Sequence, residues 1–355
     1  MLAAYNLSGS VLGVKLREIV SRTSVKLESL SGKTIAIDAY NAIYQFLSII
    51  RQPNGTPLKD HTGKVTSHLS GLLYRTSNLM ELGVKPIFVF DGTPPSLKEA
   101  EIKRRSKAKE EALVKYEKAL DEGKVEEARK YAQATSHLKE YMLVDSKKLL
   151  TLMGIPWVQA PSEGEAQAAY IVKKGDADYC ASQDYDSLLF GAPKLIRNMT
   201  ISGKRKLARK NIYINITPEI IELKIILREH EITLPQFIDL SILIGTDFNP
   251  DGVKGLGAKT ALKLIKEFGN FEKVLPHVKN NQIQFEPKKI QEIFLNPDVT
   301  DNYVLEWKDA DSEGIIDFLC REKDFSEIRV KKALKKIEKG KKEIKEKTTL
   351  EQWFG

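Results

Sequence analysis

Seven acidic side chains recur where apolar segments end, and together they are the residues most able to do chemistry. Asp38 closes TIAID, Asp91 closes KPIFVFD, Glu163 and Glu165 lie in APSEGEAQAA, Asp184 and Asp186 in YCASQDYDSLLFG, and Asp247 in LSILIGTDFNP. Three of these sites follow short apolar runs that read as buried parallel strands. Ligands in open α/β sheets gather beyond the carboxyl ends of such strands. Carboxylates brought together there repel one another and need cations. An oxygen-only donor set favours Mg²⁺ or Mn²⁺, and two such ions suit attack on a phosphodiester. Each site has a plainer reading. Ser162 and Glu165 have the spacing of a capping box, the Asp184/Asp186 pair suits a solvated turn, and an aspartate ending one strand says little. Recurrence favours one shared site.

The elements that must position these residues are legible in outline. Residues 34–38 read as a strand leading into a helix, 66–82 as an amphipathic helix and 85–90 as a second strand. Helix KKLLTLMG, strand IPWVQ, helix GEAQAAYIVKKG and strand ADYCAS then alternate as βαβ units do. SGKRKLARKNIYINI reads as a hairpin, and from about residue 217 the chain reads as helical. Residues 97–139 are charge-dense with no wide apolar face, which predicts helices standing away from the core. Their early part holds Lys98, Lys103, Arg104, Arg105, Lys107 and Lys109, a basic patch just after Asp91. Tyr44 can stack on a base or pack in the core.

GVKGLGAKTALKLIKEFG, at 252–269, places closely spaced glycines before a helix beginning near Ala258. Such glycines let backbone amides approach a phosphate at a helix N-terminus. The pattern resembles a helix–hairpin–helix DNA-backbone element, with Lys254, Gly255, Gly257, Lys259 and Thr260 as its contact residues; an ordinary helical corner is the plainer reading. Phosphate contacts of this kind position a duplex without reading its sequence.

Composition sets outer limits. The 355 residues are 42% hydrophobic and 29% charged, as in a soluble globular protein. No apolar run approaches the ~18 residues that span a bilayer, so no membrane association is expected. Cys180 and Cys320 match no zinc pattern, and a reduced intracellular setting is expected. The net charge is +8, but residues 331–347 carry nine lysines and three glutamates, so the rest is close to balanced. Any grip on nucleic acid by the body must come from local patches.

The segments GKTIAIDAYNAIYQFL, VTSHLSGLLYRTSNLM, KPIFVFDGTPPSLK, APSEGEAQAAY, ASQDYDSLLFG, LIGTDFNPDGVKGLGAKTAL and VTDNYVLEW together resemble the flap endonucleases of archaeal type. The resemblance runs from about Gly13 to the C-terminus. It implies an α/β fold of the 5′-nuclease (PIN-like) kind, with a central, mostly parallel sheet flanked by helices. A helical arch at about 97–139 and a helix–two-turn–helix at about 235–270 are implied within a nuclease domain of residues 13–330. It further implies Mg²⁺-dependent cleavage of 5′ flaps, with 5′–3′ exonuclease activity, in DNA replication and repair. The two metals would be held by Asp38, Asp91, Glu163, Glu165, Asp184, Asp186 and Asp247. Lys98 and Arg105 would steer and polarise the scissile phosphate, Arg104 would contact DNA, Tyr44 would stack on a flipped-out nucleotide, and a K⁺ ion would sit at the helix–hairpin–helix. An enzyme of this kind is expected to be DNA-associated and monomeric alone.

Two departures from the family pattern stand out. The family begins Met-Gly, with that glycine near the active site and the DNA; here Gly13-Val14 holds the place, and residues 1–12 are expected to be an extra or non-native extension. In the tail, 348–355, Leu350, Trp353 and Phe354 fit a peptide that binds a sliding clamp (PCNA), but Lys347 stands where the glutamine belongs. Residues 331–347 would be a basic helix or connector. A catalytically silent junction-binding, clamp-tethering protein and a PIN-type ribonuclease are the other classes compatible with these features. The full carboxylate set argues against the first, and the arch with the helix–hairpin–helix against the second.

Overall fold

A computed structural model describes residues 14–52, 55–124, 127, 131, 138–200, 203–206, 213–278 and 283–354. Nine strands are present among them: β1 (Thr23–Ser24), β2 (Thr34–Asp38), β3 (Lys85–Phe90), β4 (Trp157–Gln159), β5 (Tyr179–Ala181), β6 (Lys194–Arg197), β7 (Gly203–Lys206), β8 (Tyr213–Ile216) and β9 (Glu219–Glu222). Seven of them form one sheet in the order β1-β9-β6-β5-β2-β3-β4. The β6-β5-β2-β3-β4 stretch is parallel, while β9 pairs antiparallel with β6 and β1. The expected hairpin is present as the antiparallel pair β7–β8. Strands β1, β6 and β9 were not anticipated; the region after 217, read as helical, first adds β9 to the sheet.

The helices are α1 (Ala39–Ile49), α2 (Ser67–Glu81), α3 (Glu99–Asp121), α4 (Glu140–Leu152), α5 (Gly164–Lys174), α6 (Asp186–Leu189), α7 (Leu223–His230), α8 (Leu234–Ile244), α9 (Ala258–Phe268), α10 (Phe271–Val274), α11 (Pro287–Leu295), α12 (Ser312–Ile316) and α13 (Glu327–Phe354). The period-2 alternation of the central strands sends their side chains to two cores. Ile35, Ile37, Phe88 and Phe90 join the layer under α1, α2 and α4, whereas Ala36, Ile87 and Val89 join the layer under α5 and α8. Burial on both faces explains why these strands read as unbroken apolar runs.

Helix α3 confirms the charged segment as helical and largely solvated, and most of 125–137 lies outside the described residues. The Lys-rich segment is helical too, but its first turns are not a free connector. Val330, Ala333, Leu334 and Ile337 are buried, and α13 packs on α2. Gly340 lies so close to this neighbour that a Cβ there would meet the Met80 carbonyl oxygen at 1.7 Å. Helix α13 continues through Leu350, Trp353 and Phe354. Among the described residues no helix is long and apolar enough to cross a membrane.

Candidate active site

The carboxylates are delivered by the carboxyl ends of four adjacent parallel strands. Asp38 is the last residue of β2 and also caps α1, accepting from the Asn41 amide at 3.0 Å. Asp91 follows β3 and accepts from the Gly164 amide at 2.7 Å, so the start of α5 is tied to the neighbouring strand end. Gly164 is required by that approach, because a Cβ would lie 2.6 Å from Asp91 Oδ1. Glu163 is the residue immediately before α5, and its side chain makes no cap. The capping-box reading of Ser162 and Glu165 therefore does not hold: Glu165 instead accepts from Ser187 Oγ at 3.4 Å. Asp184 and Asp186 follow β5, and the Asn41 side-chain amide donates to Asp184 at 2.8 Å. Asp247 arrives from the turn after α8.

Basic groups bridge these acids. Lys98 Nζ is hydrogen-bonded to Glu163 and stands 3.4 Å from Asp247. Arg105 donates through Nη2 to Asp247 and through Nε to Glu101 at 2.7 Å. Arg104, largely exposed, also pairs with Glu101, at 2.6 and 3.0 Å. Val14 donates its amide to Asp186 at 3.3 Å, so the segment before β1 reaches the same site. Gly13 itself and residues 1–12 lie outside the described residues.

The electrostatics are those of a crowded anionic cluster. Burial first, and then repulsion from Asp91 and Asp184, pushes Asp38 well above the ordinary carboxylate range. Burial followed by Glu163 raises Asp91 to about 6, and burial followed by Asp247 raises Asp184 to about 6. Glu165 and Asp186 are pushed well above their usual values by burial, then by Asp186 and Asp247 respectively. For Lys98, burial opposes the charged form but Glu163, Asp247 and Asp91 outweigh it and hold its pKa above the ordinary value. Seven carboxylates face two bridging basic groups, a donor set that suits hard, oxygen-preferring cations. Among the described residues no three of them already close into a ligand shell.

Further residues flank the cluster. Tyr44 is half-buried and outside the core, with the Lys109 ammonium 4.4 Å from its ring centroid. Helix α9 begins at Ala258 as expected, and packs on α8. Lys254, Gly255, Gly257, Lys259 and Thr260 are all exposed there, Gly255 taking a left-handed φ of 89°. Two residues of the site were not anticipated. Asn41 lies one turn into α1 from Asp38, a spacing that shares a helix face. Glu101 is only 3% exposed yet sits in a basic run, at i−3 and i−4 from two arginines.

This sheet edge and its acidic cluster define a structure-specific nuclease of the XPG type: residues 12–112 match the XPG N-terminal domain and residues 154–247 the XPG I-region. Flap endonuclease 1 of Pyrococcus furiosus is 55% identical across 97% of this chain and 99% of its own length. That of Staphylothermus marinus is 54% identical, across 97% and 100%. Among solved structures, flap endonuclease-1 from Methanococcus jannaschii matches with a TM-score of 0.72 and 44% identity, covering 92% of this chain and 98% of the other. The catalytic core of Rad2 in complex with DNA substrate matches at 0.70 and 25% identity, over 92% and 99%. The chain belongs to the flap endonuclease 1 family, and its activity is that of a structure-specific 5′-flap nuclease.

Proposed function

We propose that the chain cuts 5′ flaps, and removes 5′-terminal nucleotides exonucleolytically, with two Mg²⁺ ions, Mn²⁺ serving as a substitute. The observation that carries this reading is the convergence of Asp38, Asp91, Glu163, Glu165, Asp184 and Asp186 from four strand ends on Asp247. These seven would hold the ions, which when bound would activate the attacking water and offset charge on the leaving 3′ oxygen. The chain's own residues supply the rest. Lys98 and Arg105, which contact Glu163 and Asp247, would exchange these carboxylates for the scissile phosphate and so bring charge to where charge develops. Tyr44 offers a ring to an unpaired base and Arg104 would contact the same DNA; the contact expected of Gly13 falls outside the described residues. The exposed turn before α9 and the first residues of that helix would hold duplex phosphates through Lys254, Lys259, Thr260 and the Gly255 and Gly257 amides, and the same element would hold a K⁺ ion. A relative of the same fold, the catalytic core of Rad2 in complex with DNA substrate, supports DNA as the substrate class.

The tail residues Leu350, Trp353 and Phe354 fall at i, i+3 and i+4 of a helix, one face of which can fill a pocket on a sliding clamp. A monomeric, intracellular, DNA-associated enzyme is the expected setting. Cleavage of a labelled 5′-flap duplex with and without Mg²⁺, beside single-stranded RNA, tests the reading with Asp186→Ala in parallel. The expected result is flap-selective, Mg²⁺-dependent cutting, lost in Asp186→Ala while flap binding persists. Flap binding with no cleavage would instead indicate a silent tether, and preferential cutting of RNA a ribonuclease.

A further inference from the structure

A cavity of about 420 Å³ opens beside Asp91, on the side of the carboxylates facing β4 and α4, and is lined by Tyr40, Asp91, Thr93, Glu140, Lys147 and Gln159 among others. We infer that this cavity seats the nucleotide on the 5′ side of the scissile phosphate, the 3′-terminal nucleotide of the released strand. The inference rests on the flap-cleavage reading and adds to it a subsite, a ligand and a direction of travel.

Direction comes from the topology. Asp184 and Asp186 lie at the end of β5, and α6, which begins at Asp186, packs on α8, which in turn carries α9 and its exposed turn. The duplex-facing turn therefore lies on the β5 side of the cluster. The cavity lies on the other side, at the β3–β4 edge. Hydrolysis adds water's oxygen to phosphorus and breaks the bond from phosphorus to the 3′ oxygen, which leaves with a proton. The phosphate stays on the strand held in the duplex. The strand that ends in the new 3′ hydroxyl must exit away from the duplex, past Asp91.

The lining matches a nucleotide. The volume falls within the ~300–1,000 Å³ of small-molecule sites. Tyr40 supplies a half-buried ring on which a base can stack. Lys147 is held in place rather than left to wander. Its ammonium lies 4.9 Å from the Trp157 ring centroid and 5.0 Å from that of Phe90, and donates to Gln159 Oε1 at 2.7 Å. Gln159 is fixed in turn, donating to the Asp91 carbonyl at 2.7 Å. A fixed cation, an aromatic face and an anchored amide beside a phosphoryl-transfer site suit a sugar–phosphate with its base. An acidic or purely apolar ligand would leave part of this lining unused.

The test couples a substrate change to an enzyme change. Single-turnover rates and cleavage positions are measured on a 5′-flap duplex whose nucleotide 5′ of the scissile phosphate is either normal or abasic. A second abasic substrate, modified three nucleotides further into the flap, serves as control. Wild type, Lys147→Met, Tyr40→Leu and Tyr40→Phe are compared after their melting temperatures are matched. One base–aromatic stack is worth ~1–3 kcal/mol, so wild type should lose about tenfold on the first abasic substrate and little on the control. Tyr40→Leu should lose about as much on the normal substrate and nothing further on the abasic one, with Tyr40→Phe restoring most of the rate. Lys147→Met should weaken both substrates alike, because its partner is the backbone. Equal wild-type rates on the normal and abasic substrates would overturn the inference, as would an unchanged abasic penalty in Tyr40→Leu. If a variant fails to fold, the wild-type comparison alone decides. Failure to cut any flap would strike at the flap-cleavage reading instead.

Discussion

Lys98→Met should destabilise the metal-free protein and do so less once Mg²⁺ is present. The Lys98, Glu163 and Asp247 side chains are 16%, 11% and 14% exposed, so water screens them little. At an effective dielectric of ~20, two unit charges at the 3.4 Å separating Lys98 from Asp247 attract by ~5 kcal/mol before desolvation is subtracted. Removing one partner of such a buried pair costs ~3–5 kcal/mol net. Arg105 still neutralises Asp247, so the lower end, about 3 kcal/mol, applies. For 355 residues at ~2.1 cal/mol/K each, the unfolding entropy is about 0.75 kcal/mol/K, and the melting temperature should fall by about 4 °C. Calorimetry in EDTA at pH 7.5 measures this directly. The pKa of Lys98 is raised in the fold, so its contribution is fully present below the unfolded value of ~10.4 and fades as pH rises through the folded value. The deficit should therefore be flat from neutral pH to about pH 9 and shrink beyond pH ~10.4. Saturating Mg²⁺ should remove most of it, because the ions take over neutralisation of the same carboxylates. Identical melting of variant and wild type in EDTA, or a deficit that Mg²⁺ leaves untouched, would refute the reasoning.

Arg105→Ala should lower single-turnover cleavage by ~10²–10³-fold with flap affinity little changed, as for a group whose charge matters most in the transition state; a change confined to the dissociation constant would assign Arg105 to binding instead. Lys254→Ala and Lys259→Ala should each weaken duplex binding whatever the sequence, and each should reduce the slope of log affinity against log salt by about one. Asp239 accepts from the Phe271 amide at 3.1 Å and from Gln291 at 3.0 Å, yet burial raises its pKa to about 6. Its ionisation therefore opposes folding above pH ~6 and not below pH ~4. The stability of Asp239→Asn relative to wild type should rise across that window by on the order of 2–3 kcal/mol and then level off, and melting curves that differ by a constant amount at all pH values would contradict this. Deleting residues 348–355 should spare clamp-free cleavage and abolish binding to the cognate sliding clamp in calorimetric titration; equal affinity for intact and truncated chains would remove the tethering role.

The sheet was legible because its central strands are buried on both faces, so Ile35, Ile37, Phe88 and Phe90 needed no polar alternation to be recognised. The carboxylates were legible for a topological reason: parallel strands all end at the same edge, so acids recurring at strand ends share one place. Strands β6 and β9 escaped because each has only four residues with a charged residue at both ends, and pairing partners far along the chain decide such cases. The apolar stripe Val330, Ala333, Leu334, Ile337 has helical spacing, but the surrounding lysines made the segment read as a connector. Glu101 was hidden most completely, since an acid among arginines on a charged helix ordinarily makes solvated pairs. Its burial shows what the charged segment does at its base. Leu97 gives an apolar foothold there, while Lys98, Glu101 and Arg105 tie the start of α3 to Glu163 and Asp247 through charge. Divalent ions placed among those carboxylates compete with Lys98 and Arg105 for the same oxygens. On the proposed two-ion reading, metal loading and the docking of α3 would therefore be opposed, and ions bound there would free for phosphate the basic groups that docking engages.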